Sequence, residues 1–79
     1  MLIRGRRATI EKHALDGMDA ERPPIQMRDV ARVLEEPDHD DQTRAHKRLG
    51  ARTIIVYYGA TEDEIIVRAV SATRSRLAS

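Results

Sequence analysis

Three arginines, Arg68, Arg74 and Arg76, close the stretch TIIVYYGATEDEIIVRAVSATRSR, Thr53 to Arg76, directly behind its most apolar segments. A guanidinium stays protonated and grips phosphate oxygens through a two-pronged fork, so arginines at strand spacing suit an anionic partner. Arg52 on the preceding apolar run, with Arg48 and Lys47 just upstream, extends the set. RNA is the expected partner and phosphate the expected contact, because the chain has no Phe, no Trp and only Tyr57 and Tyr58 to stack on bases. The bland alternative is charge placed on a sheet to keep its edge soluble.

Cleavage of RNA by its own 2′-hydroxyl needs a proton acceptor, cations for the charge growing on phosphorus, and a donor to the leaving oxygen. Arg68 and Arg74 are the candidate cations. His13 and His46 are the candidate acid and base, since imidazole titrates near neutrality. His13 also borders an apolar helical stripe three residues after Ile10, where a histidine can simply fix a helix to its sheet. Tyr58 is a candidate proton donor or base platform, and equally a packing residue. The run DHDD, Asp38 to Asp41, has carboxylates and an imidazole, but consecutive loop residues seldom converge on one ion. We expect a solvated turn there, with neither metal nor cofactor.

The elements that position these residues are readable from periodicity. Ile10, Ala14 and Met18 recur every four residues and Pro23-Pro24 must end their helix, which spans roughly residues 10 to 21. Met27, Val30, Ala31 and Leu34 form a second helical stripe stopped by Pro37. MLIRGRR opens with a short strand, and DHDDQTRAHKR reads as an exposed loop leading into an edge strand. Residues 52 to 58 and 64 to 72 read as a hairpin around the turn Gly59 to Asp63. Pairing Tyr58 with Glu64 puts Thr53, Ile55 and Tyr57 with Ile65, Val67 and Ala69 against the helices. Arg52, Ile54, Val56 and Tyr58 with Ile66, Arg68, Val70 and Arg74 then form the opposite, basic face. A one-residue slip would exchange the two faces. The expected fold is α+β, two N-terminal helices on one face of a small antiparallel sheet.

Composition sets the outer bounds. Seventy-nine residues make one domain, residues 1 to 79, with a marginal core. The absence of cysteine excludes disulfides and thiolate metal sites and fits a reducing compartment. The longest apolar run, Ile54 to Tyr58, is too short to span a bilayer, and Met1 to Arg7 is too charged for a signal sequence, so a cytoplasmic location without membrane contact is expected. Net charge is +1, yet residues 1 to 41 sum to 7 − 10 = −3 and residues 42 to 79 to 7 − 3 = +4. Such asymmetry can build an anion-binding face on a nearly neutral protein.

KHA at Lys12 to Ala14, DVARVLEEP at Asp29 to Pro37, RLGARTIIVYY at Arg48 to Tyr58 and IIVRAVSATRSR at Ile65 to Arg76 together resemble the BrnT-like toxins of the RelE/ParE superfamily. The resemblance implies a RelE-like fold, metal-independent endoribonuclease activity on messenger RNA, including ribosome-bound messenger, and a cognate antitoxin as protein partner. The acidic and aromatic residues that usually follow the last basic cluster are missing, as is the Trp-Asp opening. A non-catalytic module that binds nucleic acid or protein is therefore the alternative. A third reading is a homodimer that covers Ile54, Val56, Ile66 and Val70 with a second copy.

Overall fold

The tightest local constraint comes first in the chain. Strands β1 (Leu2–Ile3) and β2 (Arg6–Ile10) are joined by only Arg4 and Gly5, both at positive φ, 57° and 73°. Two central residues with positive φ make the turn whose twist matches that of paired strands. In the computed structural model, which describes residues 1–74, this hairpin begins a six-stranded mixed sheet curled into a half-barrel.

Helix α1 (Lys12–Ala20) buries Ala14 and Met18, one helical turn apart. Gly17 lets its backbone approach the sheet: a Cβ there would stand 2.5 Å from the Val70 carbonyl oxygen. Helix α2 (Met27–Glu35) starts at a capping box between Gln26 and Asp29 and buries Val30, Val33 and Leu34. Four strands follow as a meander, β3 (His39–Asp40), β4 (Arg44–Leu49), β5 (Arg52–Ala60) and β6 (Glu64–Arg74). Strand order across the sheet is β1-β2-β6-β5-β4-β3, antiparallel throughout except that β2 runs parallel to β6.

This architecture corrects the expected fold class. The expected RelE-like arrangement, two N-terminal helices packed on one face of a small antiparallel sheet, is replaced by a six-stranded mixed half-barrel in which strand dominates and helix is a minor fraction. The cause lies at the two ends of the sheet. The opening strand, expected to be short and followed by a helix from residue 10, becomes a hairpin whose Arg7 to Ile10 pair with Glu64 to Val67, and the expected loop contributes β3 and most of β4.

The β5–β6 register also differs. Its connection is three residues, Thr61 to Asp63, because Gly59 and Ala60 join β5; the Thr61 hydroxyl oxygen accepts the Glu64 N–H at 3.1 Å and the Thr61 N–H donates to the Glu64 carbonyl at 2.8 Å. Tyr58 consequently pairs with Val67, not Glu64. One residue further on, Tyr57 pairs with Ala69, leaving Arg68 as a bulge. Strand alternation then carries Ile54, Val56 and Tyr58 inward with Ile65, Val67, Val70 and the helices, the reverse of the expected assignment for β5. Ile54, Val56 and Val70 are core residues, so of the four proposed to meet a second copy only Ile66 stays on the open face.

The two edges of the half-barrel meet across the end of α2. Arg4 Nε donates to the Leu34 carbonyl at 2.5 Å and Arg4 Nη2 to Asp40 Oδ2 at 2.8 Å, while the Tyr58 hydroxyl donates to Asp40 Oδ1 at 2.6 Å. Arg4 leaves edge strand β1 and Asp40 lies on edge strand β3, so one ion pair ties both edges and sets a cation at the negative end of α2. Among the described residues no helix is long and apolar enough to cross a membrane.

Candidate nucleic-acid interface

With both helices on the inner side, the outer face of the sheet is formed by the alternate residues of each strand. On β4 these are Arg44, His46 and Arg48, opposite Tyr57, Ile55 and Thr53 of β5, which in turn oppose Ala69, Ser71 and Thr73 of β6. Beyond the bulge lie Ile66 and Glu64, beside Thr9 and Arg7 of β2. The strand residues of this face therefore hold Arg7, Arg44, Arg48 and Arg68 against Glu64, a balance of 4 − 1 = +3. Since the whole chain sums to +1, everything else carries 1 − 3 = −2. Among the described residues none of these four arginines forms an ion pair. From Thr53 to Gly59 the face runs about 20 Å at strand rise.

Two features stand on this basic ground. Tyr57 is 41 % exposed, with Arg44 across one strand pair and the Arg68 bulge across the other. The imidazoles of His39 and His46 stack across the β3–β4 pair, centroids 5.3 Å apart and planes 25° from parallel. Arg68 owes its position to Gly59: its guanidinium lies against the glycine, with Nη2 only 3.1 Å from where a Cβ would stand.

The residues singled out from sequence divide. Arg48, His46 and Arg68 share the outer face. Arg52 and Arg74 are paired with each other on the inner side, where Arg52 Nη1 bonds the Pro23 carbonyl, Arg52 Nη2 reaches the Pro24 carbonyl at 3.4 Å, and Arg74 Nη2 bonds the Arg22 carbonyl. They pin the segment between the helices, and the expected cradle of Arg52, Arg68 and Arg74 does not form. Lys47 also faces inward, opposite Ile54, with Nζ 3.5 Å from Asp38 Oδ1. His13 is exposed on α1, in the helical layer. Tyr58 is buried, 4 % exposed, and Arg76 lies outside the described residues.

The DHDD run diverges residue by residue. Asp38 accepts the Arg48 N–H at 2.8 Å and faces Lys47; His39 stacks on His46; Asp40 joins the edge clamp; and Asp41 accepts the N–H groups of Thr43 and Arg44 at 3.0 and 2.7 Å. Asp38 and Asp41 are held below the ordinary carboxylate range, first by those backbone donors. Among the described residues no three metal-ligating side chains come together.

Sequence reasoning missed Arg7, Arg44, His39 and Tyr57. The signal for Arg44 was present: RAHKR, once paired as a strand, sets Arg44, His46 and Arg48 on one side. Tyr57 and Tyr58 are adjacent and identical, so only the register could say which one faces out. No protein-family model, curated protein or solved structure matches the chain.

Proposed function

We propose that the chain is a small nucleic-acid-binding module that takes single-stranded RNA on the outer face of its sheet. One observation carries the reading: Arg44 and Arg68 flank the exposed Tyr57 on the face opposite the helices, with Arg48 and Arg7 farther along that face, and none of the four forms an ion pair among the described residues. Basic side chains that follow a phosphate backbone, with an aromatic ring for a base, are the two ingredients of single-strand binding. A duplex keeps its base faces stacked away from such a ring.

The test is fluorescence anisotropy of a labelled single-stranded RNA against salt. Each phosphate neutralised on a single strand contributes a slope of about −0.7 in log affinity against log salt, so four arginines give about −3. Affinity indifferent to salt, or equal for a duplex of the same sequence, would reject the reading.

Metal-independent RNA cleavage, as the BrnT resemblance implies, is the second reading, and the His39–His46 pair on the basic face favours it. Under it, one of His46 and His39 takes the 2′-hydroxyl proton as that oxygen attacks a phosphorus held by Arg44 and Arg48, the other protonates the leaving 5′-oxygen, and an inhibitor protein would cover the same face. Products ending in 2′,3′-cyclic phosphate, formed in EDTA and lost in His46→Ala, are the expected result. Full-length RNA after prolonged incubation, with binding intact, leaves the module non-catalytic.

A further inference from the structure

Beside Tyr57 the outer face opens into a cleft of about 500 Å³, within the size range of small-ligand sites. We propose that this cleft receives one unpaired nucleobase of the bound strand, stacked on Tyr57, with its phosphate on Arg68 and its polar edge at Gln42. The inference rests on the single-strand reading and adds to it the point where a base, as distinct from the backbone, is held.

The three walls have separate origins and complementary chemistry. Tyr57 supplies the exposed phenol ring of the cleft, since the chain's other tyrosine, Tyr58, is in the core. Arg68 enters because the bulge turns it outward and because Gly59 has no side chain to displace its guanidinium. Gln42 comes from the β3–β4 connection. Its φ of 74° is left-handed, a conformation that glycine adopts freely and glutamine does not. It is held there by its own N–H bond to Asp40 Oδ1 at 2.8 Å and by the bonds that the next two residues make to Asp41. A loop closed by its own hydrogen bonds thus brings Gln42, whose carboxamide both donates and accepts hydrogen bonds, to the lining of an aromatic and cationic cleft. A backbone held in a disfavoured conformation by its surroundings is a common mark of a ligand site. The neighbouring cleft, lined by Arg4, Arg6 and Glu62, shares Gln42, Tyr58 and Ala60 with the first, so the strand has a path off the sheet past the rim. In that second cleft Arg4 is engaged by Asp40 and Glu62 offsets Arg6, which makes it the poorer phosphate site.

The experiment compares an oligouridylate with an abasic ribose-phosphate oligomer of equal length, on the full chain, at one salt concentration. The base-bearing strand is expected to bind about tenfold more tightly, the size of one base stacked on an aromatic side chain. Tyr57→Ala should remove that difference and leave the affinity near the abasic level, whereas Gly59→Val, which also displaces Arg68 from the phosphate, should weaken the abasic oligomer as well. Valine suits a strand, and Tyr57 is exposed, so a retained thermal transition will show that both variants fold. Arg48→Ala should weaken both oligomers equally. Equal binding of the two oligomers by the unaltered chain would overturn the base cleft while leaving the sheet face as a phosphate-binding surface. Binding of neither would overturn both. Uridine monophosphate binding as tightly as the oligomer would overturn the extended strand in favour of a free nucleotide.

Discussion

Asp40 accepts from a tyrosine hydroxyl, an arginine and the Gln42 N–H at once, and the competition among these effects is informative. Burial alone would raise its carboxyl, but hydrogen bonds from Tyr58, Gln42 and Arg4 outweigh that and hold it below the ordinary range. The same burial and the Asp40 carboxylate push the Tyr58 hydroxyl upward, so it stays a donor at neutral pH. A carboxylate depressed in the native state contributes stability that is present above its unfolded value, about 3.9, and disappears as pH falls through its native value. Asp38, Asp40 and Asp41 act in the same direction. Thermal stability should therefore be level from neutrality to about pH 5 and decline below about pH 4, with a shallower decline in Asp40→Asn. Loss of stability beginning near neutrality would place the responsible group elsewhere. Tyr58→Phe, which removes one donor from Asp40 and leaves the packing, should cost about 1 to 2 kcal/mol in urea denaturation.

Two glycines show how an element is placed by what it lacks. Gly17 sits mid-helix, where alanine would favour the helix by about 1 kcal/mol. Yet a methyl 2.5 Å from the Val70 carbonyl must push α1 off β6, and overpacking of this kind costs about 1 to 3 kcal/mol. The clash should win, because a backbone carbonyl in a central strand has little room to move. Gly17→Ala is expected to lower the urea midpoint, and a raised midpoint would mean that α1 slides freely over the sheet. Helix α2 was readable in advance because its stripe is strongly amphipathic and its stop is a proline. Strands β2 and β3 were not, since residues 6 to 10 and 39 to 40 owe their conformation to partners far along the chain. Local propensity cannot see that pairing.

Across the whole molecule, charge is sorted by face more than by chain half. The basic second half sends Arg44, Arg48 and Arg68 outward and turns Lys47, Arg52 and Arg74 to the helical side, where they bind a carboxylate or backbone carbonyls. The acidic first half supplies Arg7 to the outer face. Arg44→Ala and Arg68→Ala should each reduce the salt slope of RNA binding by about 0.7, whereas Arg52→Ala and Arg74→Ala should leave slope and affinity unchanged. The reverse pattern would move the interface to the helical side.

Alone, the amino-acid order determined the two helices, the strongly apolar hairpin and a surplus of guanidinium groups near it, because these depend on composition and on periods of two or about four residues. Which arginines meet, and which tyrosine faces solvent, was decided only by tertiary structure. A three-residue connection and one bulge at Arg68 set the parity of β5 and β6, and parity in a strand is an all-or-nothing property. The inner face is fixed by what the helices and the edge clamp can bury, and the outer face is what that choice leaves behind.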